Sequence, residues 1–315
     1  MPMMEYNRDK AGGTEYMARR WHSDIYPDMT NIKGYDCYIL PGQAPVVGHV
    51  NGGKPVIVWL HNPLDQLPEE AAVLFDDEEF LDILHLVVVV SDYLRDWMIQ
   101  FTNVAPSKIV VIPNAIDSIE SDLTRFDKRV ERPVIIHASR QNRAMEILIP
   151  ALHALDQDFE LKVFNDFYPD TEELAHIEDV VLDPRFTYYG ETPRATVMKY
   201  MKEAHIHAHP AYWRETSCIV QIEAMSAGLL TVVSDVAALP ETSLGHAMVV
   251  PFNGPQDRDQ DIQNYIYSVN EAISIVKNGL WSPKDQVTDT DDHYSWPMAW
   301  IRWTTLDSRL PVNDH

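Results

Sequence analysis

Apolar and polar positions alternate in blocks along this chain. Short buried-looking runs recur as "YDCYIL", "APVVGHV", "KPVIVWLHN" and "LVVVVSDYLRDWMIQF", then as "SKIVVIPNAID", "PVIIHASR", "ELKVFND", "FTYYG", "HIHAHP" and "LLTVVSD". Each reads as a strand too uniformly apolar to face water on one side. Between them lie stretches with helical spacing: the segment through Trp21 and Ile25, an acid-rich stretch from Glu69 to Leu84, and "AMEILIPALHAL". "DTEELAHIED", "RATVMKYMKEA" and the run from Ser217 to Ala227 follow the same pattern. Ser91 is placed to cap the helix that follows its strand. Strands alternating with helices at this rhythm predict parallel sheets covered on both faces. The charged stretch "DSIESDLTRFDKRVER", from Asp117 to Arg132, lacks a buried face and reads as a linker between two such units. A long helix is predicted from about Asp257 to Asn278. The tail carries Trp296, Trp300 and Trp303 at helical spacing, a packing stripe. The predicted architecture is α/β with two facing Rossmann-like domains: an N-terminal domain over 1–125, a second over 126–290, and 291–315 as a C-terminal helix crossing back to the first.

Composition narrows the function. The 315 residues are 45% hydrophobic, enough for full-sized cores. A formal net charge of −23 excludes a nucleic-acid binder and argues against docking on anionic lipid. In so acidic a chain each cation at a sheet edge carries information. Two separated cysteines, Cys37 and Cys218, no apolar leader and no run long enough to span a membrane fit a cytoplasmic setting.

Candidate chemistry centres on "HAHPAYWRETSCIVQIEAMSAGLLTVVSD", residues 207–235. Glu215 lies at a turn and Glu223 inside the helix that follows. Helical rise sets them about 9–12 Å apart, too far to share a proton or a metal. Free amides near Thr216, Ser217 and Cys218 would face an anion placed at the helix start. Arg140 and Arg143 follow a buried strand and precede a helix, where cations are unfavourable without a ligand; two guanidiniums there suit a diphosphate. Gly12 and Gly13 open the first helix, and His61 ends a buried strand at the edge where ligands bind in parallel sheets. His205, His207 and His209 share a strand face, a conceivable metal triad, but no cysteine or carboxylate motif accompanies them and no metal is assigned. The acidic runs at Asp257 to Asp261 and Asp289 to Asp292 read as solvated charge. No G-x-G-x-x-G, Walker or G-x-S-x-G motif is present.

Taken together, "GGTE", "VIVWLHN", "VVVVSDYLRDW", "KIVVIPNAID", "ASRQNR", residues 185–228 and the next strand resemble the retaining glycosyltransferases of the GT-B architecture, family four (glycosyl transferases group 1). The two glutamates eight positions apart before "AMSAG" are the most specific part of that resemblance. The resemblance implies a metal-independent transfer of sugar from a nucleotide-diphosphate sugar, UDP- or GDP-linked, to an acceptor hydroxyl. It assigns Glu223 to the ribose, and Glu215 and His61 to the reacting centre. Arg140, Thr216, Ser217 and Cys218 go to the diphosphate, with Arg143 nearest the position where the family usually has a lysine. Gly190, Glu191 and Thr192 form the base loop, and Gly12 and Gly13 a loop by the phosphates and acceptor. It further implies a same-face displacement in which the leaving phosphate takes the acceptor proton. The first half is short for the family, so the acceptor side is expected to be trimmed. A sugar-nucleotide epimerase or phosphorylase on the same scaffold, and a binding module without turnover, stand as alternatives.

Overall fold

The computed structural model describes residues 13–40, 55–139, 143, 145–164 and 183–311. The chain divides into two compact units, Met1–Ala115 with Tyr294–His315, and Ile116–His293.

In the first unit four parallel strands stand in chain order: β1 (Asp36–Leu40), β2 (Val56–Leu60), β3 (Leu84–Val89) and β4 (Ile109–Val111). All five residues of β2 are buried, as an uninterrupted apolar run requires of a strand covered on both sides. The expected strand over "APVVGHV" lies outside the described residues. The helix Gly13–Arg20 runs on through a wider turn, Trp21–Ile25, which buries Trp21 and Ile25. Ser91 caps the helix Asp92–Phe101 by accepting from the Leu94 amide at 3.1 Å. The acid-rich stretch forms two short helices, Glu69–Ala72 and Glu78–Ile83.

The closing helix, Trp296–Arg309, belongs to this first unit. Trp303 packs against Trp21 and Trp59, with ring centroids 5.3 and 5.2 Å away. The tryptophan stripe is incomplete: Trp300 is 42% exposed and donates its Nε1–H to Asp28 instead. Asp307 is the anchor. Its carboxylate accepts from the Ile32 amide at 2.6 Å and the Thr30 amide at 2.9 Å, satisfying two donors at the start of the short 3₁₀ helix Ile32–Gly34. Asp307→Ala is expected to lower stability by about 1–3 kcal/mol, since it leaves the buried Ile32 amide without an acceptor, while the Thr30 amide is within reach of water. Denaturant unfolding reads this directly.

The second unit holds six parallel strands: β5 (Val134–Ala138), β6 (Glu160–Phe164), β7 (Phe186–Tyr188), β8 (Ile206–His209), β9 (Leu230–Ser234) and β10 (Met248–Val250), in the spatial order β10-β9-β8-β5-β6-β7. The order reverses between β5 and β8, and the crevice outside the carboxyl ends of those two strands is where such sheets take ligands. Helix Arg258–Lys277 covers the sheet, burying Tyr265, Val269, Ala272 and Ile273 against Ile135, Leu161, Ile206 and Val232. Helix Lys284–Tyr294 carries the acidic run Asp289 to Asp292. The helix expected over "DTEELAHIED" falls outside the described residues.

The expected boundary at 125/126 moves to 115/116, and residues 116–132 are not a free linker. Arg125 donates to the carbonyls of Ala204 and Ala227, and Ser121 to that of Ala227. Phe126 is 2% exposed. Charge in this stretch is consumed by capping the helix end at Ala227, which periodicity alone could not reveal. The same junction explains Gly228: its φ is +85°, and an added Cβ would lie 2.7 Å from Leu123 Cδ2. Its neighbour Leu229 returns a hydrogen bond to Ala224 at 2.9 Å, ending the helix in a left-handed turn.

Candidate functional site

At the β5/β8 switch point the chain leaves both strands toward charged side chains. Arg143 follows β5, and its Nε donates to Glu215 Oε1 at 2.5 Å. Both side chains are largely covered, 11% and 15% exposed, so this is a shielded ion pair and not a surface one. The guanidinium also lies over the Trp213 ring, 4.8 Å from its centroid. Arg143 therefore spends its charge on Glu215 in this state. The sequence placed both residues at the edge but did not foresee that they pair.

The loop that carries Glu215 is held from both sides. Ser234, at the end of β9, accepts from the Ala211 amide at 3.0 Å and donates to its carbonyl at 2.8 Å. Tyr212 donates to Asp261 at 2.9 Å, and Asp261 also accepts from the Asn253 and Gly254 amides. The Glu215 carbonyl accepts from the Ala238 amide at 2.9 Å. That contact follows Ala237, whose φ of 54° is unusual for a residue with a side chain. Such a conformation costs on the order of 1 kcal/mol and persists where its surroundings fix it.

The helix after Glu215 starts later than expected, at Ile219 and not Ser217, and ends at Ser226. Thr216 and Ser217 thus form a bend, Cys218 is extended ahead of the helix, and the estimate of separation by helical rise does not hold over that stretch. The amides of the helix start that lack intrahelical partners begin at Ile219, and the Gln221 amide among them already faces the Cys218 sulfur. Cys218 is buried, and burial followed by the Glu215 charge pushes its thiol well above its ordinary range, so it stays protonated.

Glu223 is 4% exposed within this helix. Burial raises its pKa, while the Arg194 guanidinium, which hydrogen-bonds Oε1, pulls it back down; Asp117 adds a smaller upward push. Arg194 opens the helix Arg194–Glu203 directly after Gly190, Glu191 and Thr192. Gly190 takes a φ of +64°, and Thr192 Oγ1 donates to the Tyr189 and Gly190 carbonyls at 3.3 and 3.2 Å, closing that loop on itself. Sequence reading missed Arg194. The signal was available: it is a cation in a first helical turn, the feature that drew attention to Arg143.

The strand histidines are core residues. His137, His207 and His209 are each 0% exposed, and burial lowers His137 to about 4, His207 to about 3 and His209 well below its ordinary value. His209 Nε2 lies 4.0 Å from Glu215 Oε1 and 3.7 Å from Cys218 Sγ; being neutral, it makes no ion pair with the carboxylate. His205 lies outside the set, its Nδ1 accepting from the Val134 amide at 3.2 Å. Among the described residues no group of His, Cys, Asp or Glu is arranged to hold a metal ion.

Of the remaining expected positions, His61 belongs to the first unit, at the end of β2, 4% exposed against Trp59 and lowered to about 3 by burial. Gly13 begins the first helix. Arg140 and Gly12 lie outside the described residues. No helix among the described residues is long and apolar enough to cross a membrane.

Residues 132–266 match the family model described as Glycosyl transferases group 1, and residues 33–119 that described as Glycosyltransferase Family 4. Among curated proteins, the GPI3 subunit of phosphatidylinositol N-acetylglucosaminyltransferase from Saccharomyces cerevisiae is 25% identical over 221 residues, 67% of this chain and 47% of that protein. Its counterpart of the same enzyme name from Arabidopsis thaliana is 24% identical over 214 residues, 66% of this chain and 46% of its own length. The chain thus spans about half the length of the curated relatives it matches. Among solved structures, a glycosyltransferase from Rickettsia africae superposes with a TM-score of 0.69 at 13% identity, covering 98% of this chain and 84% of its own. Sucrose-phosphate synthase from Thermosynechococcus elongatus gives 0.62 at 18% identity, over 82% and 68%. Anabaena HepE in complex with UDP and glucose gives 0.60 at 17% identity, over 82% and 72%. At these identities the structures speak for the fold.

Proposed function

The chain belongs to the group 1, family 4 glycosyl transferases, and from that membership we propose that it moves a sugar from a nucleotide-diphosphate sugar to an acceptor hydroxyl with retention of configuration. One observation carries the reading: the switch-point edge of the second sheet presents two carboxylates, Glu215 and Glu223, each matched by an arginine from the β5 or β7 side. A carboxylate that accepts from ribose hydroxyls, another beside the donor sugar, and guanidiniums able to turn to a diphosphate are the groups this reaction uses.

In the proposed reaction Glu223 receives the ribose hydroxyls, and the Gly190 to Thr192 loop faces the base. The diphosphate exchanges Glu215 for itself as the partner of Arg143, and the approach from Thr216 to Cys218 leads it to the helix start. Departure of the nucleoside diphosphate builds negative charge, which fixed guanidiniums and helix amides stabilise without a metal ion. The sugar carbon becomes oxocarbenium-like, and Glu215, freed from its arginine, supplies nearby negative charge. The leaving phosphate takes the acceptor proton on the same face. The curated relatives carry the name phosphatidylinositol N-acetylglucosaminyltransferase, which puts N-acetylglucosamine donors first in any screen.

The test is a thermal-shift screen over UDP, GDP and ADP and their sugars, followed by linkage analysis of the product. One diphosphate is expected to raise the Tm clearly, and the product to keep the donor's anomeric configuration. If no nucleotide raises the Tm, the donor-site assignment is wrong. An inverted linkage would remove the same-face step.

A further inference from the structure

A carboxylate that is to accept from ribose hydroxyls must be ionised and fixed in direction, and Glu223 has neither property from its own helix. It lies in the interior of Ile219–Ser226, among Ile222, Ala224 and Met225, all 0% exposed. Such surroundings favour the protonated acid. The charged groups facing it are Arg194, from the helix after β7, and Asp117, from the segment that opens the unit; Cys218, at the head of its own helix, is a protonated thiol. Asp117 works against ionisation. Arg194 alone among these favours it, and it does so through a directional bond to Oε1.

The placement of Arg194 follows from its loop. Gly190 turns the chain in a left-handed conformation, Thr192 closes on the Tyr189 and Gly190 carbonyls, and Pro193 begins the helix by accepting from the Thr196 amide at 2.8 Å. Two residues after Thr192, Arg194 therefore projects from a loop that is already tied, not from a free surface turn. A guanidinium engages one edge of a carboxylate that has about four acceptor sites, leaving capacity for two hydroxyls.

We propose that Arg194 is the positioning residue of the nucleotide site: it holds the Glu223 carboxylate ionised and aimed, and so ties ribose recognition to the loop Gly190 to Thr192. This rests on the assignment of Glu223 to the ribose made above.

The experiment is calorimetric titration of UDP and GDP into the wild type, Arg194→Ala, Arg194→Lys, Glu223→Gln and the double variant Arg194→Ala/Glu223→Gln, from about pH 5 to about pH 8. Absence of binding by the wild type would sink the ribose assignment itself, and this proposal with it. Given wild-type binding, Arg194→Ala is expected to raise Kd about 10-fold at neutral pH, a typical coupling between charged neighbours. Without its cation Glu223 holds its proton to higher pH. Because only the ionised form accepts both hydroxyls, the acid loss of binding should move upward in pH in Arg194→Ala and return toward wild type in Arg194→Lys. In the Glu223→Gln background, removing Arg194 should cost nothing further. An equal loss in both backgrounds would mean that Arg194 acts on the ligand directly, and overturns the proposal. So would an unchanged pH profile, or tighter binding in Arg194→Ala, which would make the guanidinium a block and not a support. Removing Arg194 strands the buried Glu223 carboxylate without its cation, so Arg194→Ala is expected to lower the Tm, and the lysine variant, which keeps the charge, controls for that fold effect.

Discussion

Replacing Glu223 by glutamine or alanine is expected to raise the Kd for the preferred nucleoside diphosphate about 100-fold while leaving the Tm of the free protein unchanged or higher. The two halves of that result have one cause. Burial raises the pKa of Glu223 beyond what Arg194 recovers, so the folded protein holds this proton more tightly than the unfolded chain does. For a carboxylate shifted in that direction, the ionised form costs stability. The cost is absent at low pH, where the group is protonated in both states, and grows as pH rises above the unfolded value. A neutral glutamine removes that cost. It also removes an anionic acceptor, and two bonds to a charged group are worth about 3 kcal/mol together, which is the stated factor of about 100. Calorimetry and thermal unfolding of the same samples decide the matter. A Tm that falls sharply with nucleotide affinity intact would assign Glu223 to the core and not to the ligand.

Glu215→Gln should separate binding from turnover. Its carboxylate is a partner of Arg143, so the neutral variant removes an anion that competes with the diphosphate for that guanidinium. Diphosphate affinity is expected to hold or to tighten by a few-fold. Sugar transfer is expected to fall about 100- to 1,000-fold, the usual loss when one electrostatic contact to the reacting group is removed. Direct titration of the diphosphate and a product-release assay measure the two effects independently. Unchanged turnover would take Glu215 out of the reaction, and loss of diphosphate binding would show that its role is to organise Arg143.

Much of the second unit was legible before any coordinates. The apolar runs at β5, β6, β8 and β9 and the helix Arg258–Lys277 were read close to their observed places because each is buried on a scale that periodicity records. The edge position of Glu215 and Arg143 followed from the same alternation, since parallel sheets put their ligands at strand ends, whereas the loop at Gly190 was singled out by the family resemblance. Residues 116–132 were misread because their arginine and serine donors serve the carbonyls of Ala204 and Ala227, about 80 to 105 positions away in the chain. The helix start was misplaced by two residues, which is where local signals are weakest.

What the sequence by itself determined is the set of groups: two parallel-sheet units, two glutamates at fixed spacing, and arginines at the heads of helices in an acidic chain. Those follow from local periodicity and from the charge that must be gathered to hold an anion. Only the tertiary structure decided the pairing, Arg143 with Glu215 and Arg194 with Glu223, joining residues 72 and 29 positions apart respectively. The strand order that brings β5 beside β8 sets the first, and the tied loop after β7 sets the second. Coulomb attraction between such partners depends on distance and on shielding from water, and a linear chain specifies neither until it is packed.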